Sequence, residues 1–370
     1  MAERANAAVT GDRMGVNVNN LGRGVCRAGV HLSCLIGGWS GAMIAAIGRK
    51  PKVWLLALCV SGCAPTPFGT PKPSPDFPIV TSGAFVLPDG ARLPYRLYPA
   101  QGPTRAVVLA LHGYTDSRDA FVLLAKALNP AGITLYAPDQ SGFGATANRG
   151  HWPGTTTLVD EAREMAVQLR QQYPGQKLFI LGESMGGAIG LLLGASGNPP
   201  PVDGYILSAP AVWGGPALNP VYHAVLDVAA TLIPAKRLTG QEVHIKASDN
   251  RAALIAFGRD PLTLHAPSIA DLAGLVDLMG EAQAACATLR APAMILYGGH
   301  DQLVPAAAMR RCWNAIPPNA PVVLAYYKPD YHLIERDIER ATPDADILAY
   351  ILGNTLPSNA PSQATIFLSN

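Results

Sequence analysis

Charge is scarce in this chain. Charged side chains make up 15% of its 370 residues, and 28 Lys and Arg against 26 Asp and Glu leave a formal net charge of +2. So few cations in so even a balance provide no electrostatic footprint for nucleic acid. Glycine-rich phosphate loops and His/Cys/Asp/Glu clusters at metal-ligand spacing are also missing, so neither a cofactor nor a metal is expected. Internal repeats are absent as well, which excludes a solenoid or an array.

One motif stands out against these absences. Ser184 lies in Leu181-Gly182-Glu183-Ser184-Met185-Gly186-Gly187, directly after the apolar run Lys177-Leu178-Phe179-Ile180 and before a small, apolar stretch that starts at Ala188. A strand that feeds a helix through Gly-x-Ser-x-Gly is the context of a nucleophile elbow. The turn strains the serine, and glycines on either side let the strand and helix pass close to it. The helix N-terminus then favours negative charge developing beside the hydroxyl. The plainer alternative is an ordinary serine in a glycine-rich turn.

A serine hydroxyl needs a base to take its proton, and the base needs a carboxylate to orient it. In chain order these follow as Ser, Asp or Glu, then His. The apolar run Ala293-Met294-Ile295-Leu296-Tyr297 reads as a strand leading into Gly298-Gly299-His300-Asp301, which places Asp301 at a strand C-terminus. One strand later, Val322-Val323-Leu324-Ala325-Tyr326 leads to Asp330-Tyr331-His332. His332 is therefore read as the base and Asp301 as its orienter. His300 and Asp330 are the competitors. His300 adjoins Asp301 and should point away from it, and Asp330 is two residues from His332 in a tight loop. The last element is the oxyanion hole. The strand from Arg105 to Leu111 ends in His112-Gly113-Tyr114, so the expected donors are the backbone amides of Tyr114 and Met185. His112 precedes the nucleophile and is read as a loop-fixing residue.

Taken together, His112-Gly113-Tyr114, Asp139-Gln140-Ser141-Gly142-Phe143-Gly144, Gly182-Glu183-Ser184-Met185-Gly186-Gly187, Leu207-Ser208-Ala209-Pro210-Ala211, Gly298-Gly299-His300-Asp301 and the His332 loop resemble one family. It is the α/β-hydrolases of the monoacylglycerol lipase and lysophospholipase group, related to the serine aminopeptidase-like hydrolases. The resemblance spans roughly residues 80–353. It departs at Gln140-Ser141, where family members more often carry arginine. What it implies is hydrolysis of a carboxylic ester bearing an acyl chain; the residues alone imply acyl transfer through a serine. Two alternatives stay open: an acyltransferase using the same triad, and a catalytically silent lipid-binding protein.

The wider pattern agrees with an α/β fold whose central sheet is mostly parallel, with helices on both faces. An edge hairpin is expected around Phe85 to Leu97, and strands near Arg105, Ile133, Lys177, Gly204, Ala293 and Pro321. Helical periodicity is clearest over residues 156–172 and 334–352. Residues 212–287 break the alternation and are read as a helical cap, with Leu272, Leu275, Val276 and Met279 either lining an acyl pocket or packing the cap down. Residues 354–370 are polar apart from Ile366-Phe367-Leu368 and are expected to be a disordered tail.

The N-terminal part speaks to location. Arg49-Lys50-Pro51-Lys52, then Val53-Trp54-Leu55-Leu56-Ala57-Leu58-Cys59, then Val60-Ser61-Gly62-Cys63 have the order of a secretory signal, and the ending resembles a bacterial lipobox. That resemblance implies lipid attachment at Cys63, a membrane partner reached through the anchor, and a place in a bacterial cell envelope. Ala64 after the cysteine resembles lipoproteins sent to an outer membrane; a cytoplasmic enzyme is the alternative. Met43 begins a signal of ordinary length, so residues 1–42 are read as lying upstream of it, within an N-terminal extension and signal over 1–63. Residues 64–79 carry six prolines from Pro65 to Pro78 and form a proline-rich tether. At about 3.1 Å per residue such a tether reaches roughly 45 Å. Of six cysteines, Cys286 and Cys312 remain beside Cys63 after cleavage. They could pair in an oxidising compartment, although buried free thiols are the preferred reading.

Overall fold

The computed structural model describes residues 81–214, 220–238 and 245–369. The signal-like segment, Cys63 and the proline-rich tether lie outside the described residues.

Strands β1 (Thr81–Val86) and β2 (Arg92–Tyr98) form the antiparallel edge hairpin. The remaining strands are β3 (Ala106–Leu111), β4 (Ile133–Pro138), β5 (Lys177–Glu183), β6 (Gly204–Ser208), β7 (Ala293–Gly298) and β8 (Val322–Tyr327). They join the hairpin in one eight-stranded sheet of order β1-β2-β4-β3-β5-β6-β7-β8, parallel from β4 onward. Parallel strands need crossovers, crossovers put helices on both faces, and strands covered on both faces are apolar throughout rather than alternating. Every residue of β3, β4, β6 and β7 is accordingly buried.

The helices are α1 (Val122–Leu128), α2 (Thr155–Gln172), α3 (Met185–Ala195), α4 (Pro220–Leu232), α5 (Arg251–Arg259), α6 (Ile269–Ala285), α7 (Ala306–Ala315), α8 (Ala341–Leu352) and α9 (Ala360–Ser369). Successive strand residues point to opposite faces, so β3 splits between two cores. Val107 and Leu109 pack with α2, α3, α6 and α7, while Val108 and Ala110 pack with α1 and α8. Among the described residues no helix is long and apolar enough to cross a membrane.

Four features differ from the sequence reading or refine it. The helical pattern at 334–352 is two pieces, a short 3₁₀ turn at Ile334–Arg336 and then α8. The Asp337 carboxylate accepts bonds from Ser248 Oγ and from the amides of Asp249 and Tyr331, which holds the break open. Pro343 in the first turn of α8 also lacks the N–H that a longer helix would need there. Second, α6 belongs only partly to a cap, since it is the crossover between β6 and β7 and packs along α3. Met279 is consequently buried in the main core and Val276 is buried as well, whereas Leu272 and Leu275 are half-buried.

Third, the expectation of a disordered tail is corrected, because residues 360–369 form α9 against β8. Ala360, Ala364 and Phe367 fall on one helical stripe and are buried. The Phe367 ring stacks on Tyr326 with centroids 4.6 Å apart and meets Trp313 edge-on at 5.4 Å. Fourth, Cys286 and Cys312 form a disulfide rather than two free thiols. The 3₁₀ turn that ends α6 brings Cys286 against the buried face of α7, where Cys312 sits equally buried.

Candidate active site

Strain gathers at one end of this sheet. Among the described residues, the non-glycine residues with positive φ are Thr115 at 66°, Ser184 at 53° and Ala209 at 40°. They follow the C-terminal ends of β3, β5 and β6, which lie side by side or nearly so in the sheet. Such backbone costs of order 1–3 kcal/mol per residue and persists only where the surroundings enforce it.

At Ser184 the enforcement is visible. Its N–H donates to the Ser208 carbonyl at 2.9 Å, and its carbonyl accepts from Ala188 at 2.9 Å and Ala211 at 3.0 Å. A Cβ on Gly182 would lie 2.1 Å from the Gly186 carbonyl oxygen, and one on Gly186 would lie 2.1 Å from the Leu111 carbonyl oxygen. Only glycines let β5 turn into α3 at this distance and let α3 rest on the end of β3. Ser184 occupies the N-cap position of α3, yet its side chain makes no capping hydrogen bond. An ordinary serine in a turn would cap the helix. This hydroxyl is held away from the amides it would otherwise serve.

Two of the other expected residues, Asp301 and His332, meet each other. His332 Nδ1 lies 2.8 Å from Asp301 Oδ2, and both side chains are almost wholly buried. The other Asp301 oxygen accepts from the amides of Leu303 at 2.8 Å and Val304 at 2.9 Å, which fixes the carboxylate from behind. His332 Nε2 is buried and holds no hydrogen bond. Burial disfavours the imidazolium, but the Asp301 charge and hydrogen bond outweigh it, with Glu183 and Glu335 adding to them. The His332 pKa therefore lies above its ordinary value. His300 instead turns its Nδ1 to the Pro329 carbonyl at 3.0 Å, so Asp301 has one imidazole partner.

The loop after β3 comes close to Ser184. A Cβ on Gly113 would lie 3.4 Å from Ser184 Cβ, so the Gly113-Tyr114 segment lies alongside Ser184. The Asp116 amide donates to the Gly113 carbonyl at 3.2 Å, which closes a turn over Tyr114 and Thr115. The Tyr114 and Met185 amides are not used in any turn or cap bond among the described residues. His112, wholly buried, serves the loop: its Nδ1 meets the Gly113 carbonyl at 2.8 Å and its Nε2 accepts from the Gln140 amide at 3.1 Å. Gln140 Nε2 returns a bond to the His112 carbonyl at 2.8 Å, and Ser141 Oγ donates to Glu161 at 2.6 Å. Gln140 thus braces the loop after β3, and Ser141 ties the loop after β4 to α2.

One group of residues escaped the sequence reading. Glu183, the variable position of the elbow motif, receives Arg336 Nη2 at 2.9 and 3.1 Å on its two oxygens, and the same nitrogen donates to Asp116 Oδ2. Burial pushes the Glu183 carboxyl up to about 7 despite the Arg336 guanidinium. Glu335 is also buried and shifted upward by burial. No spacing rule connects residues 153 and 220 positions apart, so only the fold reveals the group. No metal-holding cluster of three or more His, Cys, Asp or Glu residues occurs among the described residues.

Known proteins with this arrangement are recognisable. Residues 102–339 match the serine aminopeptidase S33 family. A monoacylglycerol lipase of Mycolicibacterium smegmatis is 27% identical over 267 residues, covering 72% of this chain and 94% of that protein. The monoglyceride lipase of Homo sapiens is 23% identical over 256 residues, 69% of this chain and 84% of that protein. Among solved structures, a soluble variant of the Saccharomyces cerevisiae monoglyceride lipase with a substrate analog superposes with a TM-score of 0.62 at 20% identity, covering 78% of this chain and 98% of that one. The Paleococcus ferrophilus monoacylglycerol lipase gives 0.59 at 23% identity, with 71% and 99% covered. The strand order, the strained elbow and the family match over residues 102–339 agree: this chain belongs to the serine aminopeptidase S33 family and has the α/β-hydrolase fold.

Proposed function

We propose that this chain is a carboxylic ester hydrolase acting on acyl lipids of the monoacylglycerol or lysophospholipid type, with Ser184 as nucleophile, His332 as base and Asp301 as orienter. The observation that carries the reading is the combination of an uncapped, positive-φ Ser184 with a His332 whose Nδ1 is held by Asp301 and whose Nε2 is unengaged. The chemistry follows from that geometry. Ser184 Oγ forms a bond to the ester carbonyl carbon as its proton passes to His332 Nε2, and the carbonyl oxygen takes the negative charge between the Tyr114 and Met185 amides. Collapse breaks the bond to the alcohol, which leaves with the proton from His332. Water then gives a proton to His332 as it attacks the acyl carbon, and collapse breaks the bond to Ser184 Oγ, which takes the proton back from His332 as the acid is released.

The acyl-lipid part of the reading draws on the lipase names of the relatives. It is tested by turnover of monoacylglycerols, lysophospholipids and simple esters of graded chain length. A preference for short, water-soluble esters over every lipid would overturn it. Adding a competing alcohol separates the two chemistries: a hydrolase releases free acid, and an acyltransferase forms the new ester instead.

We also propose that the chain is exported and lipid-anchored through Cys63 in a bacterial envelope, on the periplasmic side of an outer membrane. The basic cluster, apolar run and Val60-Ser61-Gly62-Cys63 support this, and so does the Cys286–Cys312 disulfide, since such bonds persist in oxidising compartments. Fractionation of cells expressing the wild type and Cys63→Ser tests it. Wild-type protein in the soluble cytoplasmic fraction would refute the anchor while leaving the triad unaffected.

A further inference from the structure

The Arg336 side chain, 7% exposed, stands where the three loops of the site meet. Its Nη2 bonds Glu183, the residue before the nucleophile, at 2.9 and 3.1 Å, and bonds Asp116, which closes the turn that presents the Tyr114 amide. Arg336 itself lies four residues beyond His332, at the end of the 3₁₀ turn of the histidine loop. Its carbonyl accepts Asn250 Nδ2 at 2.9 Å, and Asn250 is the N-cap of α5. One guanidinium thus ties the elbow, the oxyanion loop and the histidine loop together, and its backbone adds the cap. Gly113 is drawn into the same contact, since a Cβ there would lie 3.3 Å from Glu183 Oε1.

Stability alone is a poor reason for this cluster. Desolvating a guanidinium and two carboxyls costs several kcal/mol, and well-packed apolar residues usually hold such a place as well or better. The geometry points to a different service: we propose that Arg336 is a positioning residue that sets Ser184, the Tyr114 amide and His332 in register with one another. It touches no reacting atom. Placement errors of about 1 Å in a site of this kind cost on the order of 10²-fold in rate. The proposal rests on the assignment of Ser184 and His332 given above.

Removing Arg336 alone would strand both Glu183 and Asp116, so Glu183 is neutralised with it, and Asp116 keeps the Ser117 amide on its other oxygen. Glu183→Gln/Arg336→Met is compared with wild type, Arg336→Lys and Ser184→Ala, using p-nitrophenyl butyrate as substrate and thermal unfolding as the check on folding. The double variant is expected to unfold within a few degrees of wild type, with kcat reduced about 10- to 100-fold and KM changed less than about threefold. Arg336→Lys, which keeps a cation near Nη2, is expected to recover most of that loss. A double variant with wild-type kcat overturns the proposal, as does a lysine variant no better than the double. If the double does not fold, Arg336→Lys and Arg336→Met decide it alone, and equal kcat in the two overturns it. Activity surviving in Ser184→Ala would instead bring down the underlying assignment of the nucleophile.

Discussion

Asp301 Oδ2 lies 2.8 Å from His332 Nδ1, while Asp301 Oδ1 is occupied by the amides of Leu303 and Val304. One oxygen of the carboxylate holds the loop and the other holds the imidazole. Asp330 offers neither contact, although it lies only two residues from the histidine. Asp301→Asn therefore puts a donor in reach of Nδ1, favours the wrong tautomer, and is expected to lower kcat by roughly 10³- to 10⁴-fold. Asp330→Asn is expected to stay within about tenfold of wild type. Steady-state kinetics of the two variants check this, and the reverse ranking would mean that Asp330 is the orienter.

The pH profile follows from the same pair. His332 must be neutral to take the serine proton, so kcat/KM falls as the pH drops below its pKa. That pKa is raised, since the Asp301 carboxylate, with Glu183 and Glu335, more than offsets the effect of burial. The acid limb of the wild type is thus expected above the ordinary histidine value of about 6.5. In Asp301→Asn burial dominates, and the limb moves to lower pH. A wild-type limb below about 6.5, or a limb that moves upward in Asp301→Asn, would contradict this account.

Much of this was legible in the sequence, for identifiable reasons. Strands buried on both faces announce themselves as unbroken apolar runs, and the starts of β3 to β8 lie within a residue of where those runs begin. Ser184, Asp301 and His332 stand in the segments that follow strand C-termini, which a linear reading can locate. Contacts between distant segments were not legible. The break at Asp337 depends on the distant Ser248, and α9 depends on Tyr326, Trp313 and Tyr297 for its aromatic contacts. Glu183 was in plain view inside the motif, but its partner Arg336 lies 153 residues away.

The terminal helix gives a stability prediction. Phe367 fills the space between Tyr297, Trp313 and Tyr326, so Phe367→Ala is expected to cost about 3 kcal/mol. Denaturant unfolding measures the loss, and kcat should hardly change because the ring contacts of Phe367 are to Tyr297, Trp313 and Tyr326 and to none of Ser184, Asp301 and His332. A change below about 0.5 kcal/mol would mean that the helix does not dock in solution.

The disulfide gives another. Cys286 and Cys312 enclose a loop with a sequence separation of 26. Cys286→Ala/Cys312→Ala is expected to lose roughly 3 kcal/mol, most of it through a freer unfolded chain. Reductant should lower the melting temperature of the wild type and leave the double variant unchanged. Equal insensitivity in both would show that the thiols are free.

The central claim is that Ser184 is the nucleophile, and covalent labelling tests it most directly. Wild type and Ser184→Ala are treated with a fluorophosphonate probe, the labelled peptide is identified by mass spectrometry, and ester turnover is measured on the same samples. The expected result is one label on Ser184 in the wild type, none in the variant, and a loss of roughly 10⁴- to 10⁶-fold in kcat with the fold intact. Label or turnover persisting in folded Ser184→Ala would contradict the account.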